Sequence, residues 1–172
     1  MNKYSKSIVT IHWVHAVLIT LSLLSATFVL SNMPNDIEKI GSLKIHMIIG
    51  LIITVITLIR MVIVAKAKDL EPLKVSTGRQ KIITWNHRLI YVLLVVVGVS
   101  GIVFSQGAGV GDIVFFGVEA ELYASVESYG EIAEIVHKIA TKVLMFLIAM
   151  HLVGIISYAM KSKDGVLKRM WF

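Results

Sequence analysis

The 172-residue chain has no cysteine, two prolines, and charged side chains at only 16% of its positions. Two of these shortages exclude whole classes of protein. Without a thiol there is no disulfide, no iron–sulfur cluster, no thiolate-ligated haem and no cysteine nucleophile. An ordinary soluble domain carries about 25% charged residues. A chain that is 56% apolar cannot hide that much hydrocarbon in a soluble core of this size without a greasy surface. A bilayer removes the difficulty.

Four stretches approach or exceed the roughly 20 apolar residues that a membrane-spanning helix needs: 8–30, 45–65, 83–104 and 135–160. The expected fold is therefore all-α, a four-helix transmembrane bundle, with no internal repeat and no second domain. The first stretch follows Lys3 and Lys6 and so resembles a signal peptide. It is too long for a signal's apolar region and holds His12 and His15, so it is expected to remain as an anchor.

Orientation follows from the cations. The N-terminus, the 66–82 connection with flanking Arg60 and Arg88, and the C-terminal tail carry 13 of the 17 Lys and Arg residues but three of the 11 acids, a net of +10. The other side carries four cations and eight acids, a net of −4. Both termini are thus expected in the cytoplasm. The overall charge of +6 reports topology and contact with anionic lipid, not binding of nucleic acid. The longest outer connection, 105–130, holds Gly107, Gly109 and Gly111, but no Lys-Ser/Thr follows them as a phosphate-binding loop requires. It reads as a flexible loop with room for an interfacial helix.

The six histidines, His12, His15, His46, His87, His137 and His151, all lie in or at the edges of the spans. Polar side chains are costly in a bilayer, and those found there usually have a task. His137 and His151 are 14 residues apart on the fourth span. At 100° per residue they leave nearly one face, about 21 Å apart along the axis, one near each membrane surface. Such a helix can hold one side of two stacked haems. Depth then selects the partners. The first span runs outward, so His12 lies at the inner depth of His151; the second runs inward, so His46 lies level with His137. Neutral imidazoles can supply both axial ligands of a low-spin b-type haem. Such an iron has no open position, which suits electron transfer rather than oxygen binding.

Other residues admit two readings each. Arg60, on the face of His46 but at the inner end, pairs with a haem propionate or is an ordinary interfacial anchor. Gly50 and Gly154 let a porphyrin lie close to the helix or let helices pack. His15 competes with His12, from three residues deeper and about 60° around the helix. His87, beside Trp85 and Arg88 and one turn before Tyr91, lines a quinone or propionate site or packs at the interface. Trp13, Trp85, Tyr158 and Trp171 read as belt anchors, and Met47 and Met150 as packing. Glu134, Lys138 and Lys142 read as a solvated outer helix end.

Tyr4-Ser5-Lys6 followed by Ile11-His12-Trp13 resembles the opening of the bacterial cytochrome b561 family. So do His46 with Gly50 and Arg60, then His87 with Tyr91 and Gly101. His137, His151 and the tail Lys163-Asp164-Gly165-Val166-Leu167-Lys168-Arg169-Met170 match its ending. The resemblance runs in order along nearly the whole chain. It implies a single transmembrane cytochrome b domain over residues 1–172 in a bacterial inner membrane, with two haem b groups. Their iron ligands fall at His12, His46, His137 and His151, which selects His12 over His15. It also implies electron exchange with ubiquinone or another quinone. One member type is a superoxide oxidase, which passes electrons from superoxide to ubiquinone. The chain departs from the family at Tyr158 and Ala159, where many members carry a His pair, so a quinone site built on that pair is not carried over.

Two other functions fit the same frame. A haem-bearing membrane anchor of a hydrogenase or dehydrogenase differs only in its redox partner protein. A small transporter would use the histidines for protons or a metal, but the 14-residue spacing suits two cofactors better than the closer steps of a proton relay.

Overall fold

The computed structural model describes residues 4–34, 37–66, 75–107, 109–117 and 128–161. Five α-helices order these residues: α1 Lys6–Leu24, α2 Ile37–Lys66, α3 Thr77–Gly107, α4 Val110–Phe116 and α5 Ser128–Lys161. Among the described residues, four helical segments are long and apolar enough to cross a membrane, at Lys6–Asn32, Glu38–Lys66, Thr77–Gly107 and Gly130–Met160. Each outruns the apolar stretch expected from the sequence. A helix of 31 residues, as in α3, is about 46 Å long against a hydrocarbon core of about 30 Å. Its polar terminal turns therefore reach into the headgroup zones.

Exposure is reversed relative to a soluble protein. Phe28, Ile82 and Phe146 are more than 60% exposed, whereas His15, Ser22, Thr54, Thr57 and Ser100 are buried. Lipid is as apolar as leucine, so nothing drives apolar side chains inward. Polar groups gather inside because the bilayer offers them no partner. Thr54 and Thr57 each return their hydroxyl to the carbonyl four residues back, at 2.8 Å.

The spans alternate in direction, and cross-helix contacts mark two ends. At the proximal end, where α1 begins and α5 finishes, Arg60 of α2 meets His12 and His15 of α1, and His87 of α3 meets His151 of α5. At the distal end His46 of α2 meets His137 of α5. Helix α5 packs closely along α3, α3 along α2 and α2 along α1, while α5 stands off from α1 and α2. Between the ends, Ile53, Leu94 and Leu144 form an apolar core. Leu144, 1% exposed, lies seven residues from His137 and seven from His151, so hydrocarbon separates two polar regions.

Two glycines on α3 allow close approach. A Cβ on Gly98 would stand 2.2 Å from Thr54 Oγ1, and one on Gly101 would stand 3.0 Å from His137 Cε1. The distal connection does contain a short helix. Gly109 and Gly117, at φ of 65° and 67°, bracket α4 in the left-handed conformation that glycine adopts without strain. Val110 and Val114 of α4 pack against Ile40, Leu43, Met47 and Phe104, which accounts for Met47 as a packing residue. Phe116 is exposed. The acidic residues Glu119, Glu121 and Glu127 and the tail with Trp171 lie outside the described residues.

Candidate functional site

The distal pair is the more ordered of the two polar regions. His46 and His137 project from α2 and α5 with ring centres 6.5 Å apart and planes at 84°. The Nδ1 of His137 lies 2.9 Å from the backbone oxygen of Val97. A carbonyl can only accept, so that nitrogen carries the proton and Nε2 keeps its lone pair. Ser100 Oγ lies 3.4 Å from the same nitrogen. His46 Nδ1 lies 3.4 Å from Ser22 Oγ. Ser22 lies in the last turn of α1, just before a π-turn at Ser25–Val29. Such turns often mark functional positions.

This arrangement fits a six-coordinate haem. His46 and His137 would hold the iron through their Nε2 atoms, and ring centres 6.5 Å apart leave room for it between them. Both outward nitrogens have partners that orient the rings, as ligating histidines require. On the same face of α5, one turn beyond His137, Thr141 has a buried hydroxyl with no hydrogen-bond partner. Four residues along α2 from His46, a Cβ on Gly50 would meet nothing within 4 Å, and the same holds at Gly154, three residues beyond His151. Among the described residues, close packing against a neighbouring helix is thus not what calls for glycine at either position.

The proximal region is crowded and dominated by one cation. Arg60 Nη2 lies 3.1 Å from His12 Nδ1 and Nη1 lies 3.2 Å from His15 Nδ1. Its guanidinium sits 5.6 Å from the Tyr91 ring centre, inside the range of a cation–π contact. Arg60 is therefore more than an interfacial anchor. His12, His15, His87 and His151 all lie within electrostatic reach of one another or of Arg60.

His15 is fully buried and both its nitrogens are engaged, with Thr57 and Arg60. That leaves no lone pair for a metal. His12 has its Nδ1 turned to a group that can only donate, so ligation through Nε2 requires it to release Arg60. His87 and His151 stand edge to face with ring centres 4.8 Å apart, too close to share an iron between them. His87 donates its Nδ1 proton to Ile83 O at 2.7 Å.

One sequence expectation is corrected nearby. Tyr158 was expected as a belt anchor at the membrane surface. It is 5% exposed and lies under Arg79, whose guanidinium is 5.6 Å from the ring centre and also donates to Ser157 Oγ at 2.8 Å. The arginine, near the start of α3, lies against the ring in this buried position. Trp13 and Trp85 are exposed, as belt residues should be. Lys138 pairs with Glu134 on the exposed end of α5. The supporting residues Ser22, Val97 and Gly98 were not found from the sequence. The small-residue run Gly98-Val99-Ser100-Gly101 was the available signal for a close helix contact.

The family model described as prokaryotic cytochrome b561 matches residues 3–172. Neither the curated proteins nor the solved structures give a match.

Proposed function

The chain belongs to the prokaryotic cytochrome b561 family, a family of membrane electron-transfer proteins of the b-haem class, and from that premise we propose a two-haem carrier that passes electrons through the bilayer to quinone. His46 and His137 would hold the distal haem, and His12 and His151 the proximal one. Residues 1–172 act as one membrane domain. The haems, when bound, would supply one-electron transfer. The protein's own part is to orient four imidazoles, keep Leu144 and its neighbours between the two sites, and hold Arg60 beside the proximal one. The observation that carries this reading is the 6.5 Å face-off of His46 and His137 with the His137 proton fixed on Nδ1 by Val97.

The charge asymmetry of +10 against −4 supports a cytoplasmic proximal end in a bacterial inner membrane. Electrons then enter at the outer, distal site and leave at the inner one. With superoxide as donor, two superoxide anions each lose one electron and become dioxygen, while the quinone takes up two electrons and two protons. A redox partner protein, as for a hydrogenase or dehydrogenase anchor, is the competing source of electrons.

The test is haem stoichiometry. Purified protein from haem-replete cells should give two non-covalent b haems per chain by pyridine haemochrome and protein assay; a ratio near zero removes the proposal. A reporter active only in the cytoplasm should work after Phe172 and fail within 105–130. The reverse result would invert the direction of transfer.

A further inference from the structure

The polar chain between α1 and α2 at the proximal end has a proton order that chemistry alone determines. Thr57 Oγ1 donates to Ile53 O at 2.8 Å. Its single proton is thereby spent, and it can only accept from His15 Nε2, 3.1 Å away. Arg60 can only donate, so His15 Nδ1 accepts from Nη1 at 3.2 Å. The two requirements agree, since a neutral imidazole has one donor and one acceptor nitrogen. His15 and Thr57 are both 0% exposed, so water does not compete for the link between them.

Resting on the two-haem reading, we propose that His15 and Thr57 are positioning residues: they fix the Arg60 guanidinium beside the proximal haem and so raise that haem's midpoint potential. Arg60 has two arms, and they are not equivalent. The His12 arm is given up when His12 ligates, because its Nδ1 then carries a proton. The His15 arm is anchored through Thr57 to the backbone of the same helix and does not depend on ligation. It leaves Nη2 available to an anionic group such as a propionate. A haem iron loses one unit of positive charge when one electron reduces Fe(III) to Fe(II). A fixed neighbouring cation disfavours the oxidised state, and it does so strongly where the surroundings are poorly polarisable. Arginine keeps its charge at every accessible pH, so its position is the only variable.

The test is potentiometric titration of the full-length protein, with both haem potentials resolved by their α-bands. The proximal haem is identified in a His137→Ala background. Thr57→Val and His15→Leu should keep two haems per chain. They should lower the proximal potential by about tenfold in the reduction equilibrium, which is 59 mV for a one-electron couple, and leave the distal potential in place. Thr57→Ser should restore the wild-type value. Wild-type potentials in Thr57→Val and His15→Leu with two haems bound would overturn the proposal and leave the two-haem reading standing. A wild-type protein without a second haem would remove that reading instead. If the two variants lose the proximal haem, Arg60→Lys decides: it keeps the charge but cannot span both partners, and an unchanged proximal potential overturns the proposal.

Discussion

The distal and proximal ends solve the same problem, holding imidazoles in hydrocarbon, in different ways. At the distal end the orienting groups are a backbone carbonyl and hydroxyls, Val97 O, Ser100 and Ser22. They set the rings without adding charge. At the proximal end a half-buried arginine does the organising and meets the Nδ1 of both His12 and His15. In the proposed reading the distal pair could ligate without changing its hydrogen bonds, while the proximal pair would require His12 to exchange one. Neutral support and an anchored charged partner should differ in what they do to a bound haem. The first fixes affinity, the second fixes potential.

The sharpest break of this comparison comes from removing ligands. His137→Ala should halve the haem content and leave the proximal spectrum, and His151→Ala should do the converse. Either variant retaining both haems would show that the ends are not separate sites. Next in size are the orienting groups. Ser22→Ala should weaken the distal haem by about 10–100-fold, as loss of a ligand's supporting hydrogen bond typically does, with no change at the proximal end. Gly101→Val, whose Cβ would press on His137 at 3.0 Å, should act in the same direction. Haem retention during dilution or competition with apomyoglobin measures both.

A smaller effect is expected where the structure leaves room. Gly50→Ala and Gly154→Ala meet no protein atom within 4 Å, so the fold should keep its thermal midpoint while haem loss quickens. An unchanged rate of haem loss would return these glycines to no particular role. Smallest is the salt dependence of reduction by superoxide. Lys138 is paired with Glu134, so among the described residues, of the outer cations Lys44 and Lys138 only Lys44, 5.7 Å from the Phe115 ring centre, adds an uncompensated charge to a basic approach. Stopped-flow reduction should slow only modestly with added salt and in a Lys44→Ala/Lys138→Ala variant. A rate constant under about 10⁵ M⁻¹s⁻¹, well below steered encounter, would rule superoxide out as donor.

Much of this was legible before any coordinates. A period of 3.6 residues and a bilayer's thickness are enough to place His137 and His151 on one face, and the depth argument brings His46 to His137, as observed. Arg60 was legible as a proximal residue. Its grip on His15 was not, because a contact between positions 45 residues apart has no local signature. Tyr158 was misread for the same reason: its burial depends on Arg79, 79 residues away in the chain and adjacent only in the bundle.

The sequence by itself determined the four spans, the sidedness of charge and the depth of each histidine, since these follow from transfer energies and helical rise, which are properties of single residues and of their spacing. The tertiary structure decided which nitrogen of each imidazole is left with a lone pair. That depends on whether the neighbour across the helix interface is a carbonyl, a hydroxyl or a guanidinium, and only packing brings such a neighbour within 3 Å or so of the ring.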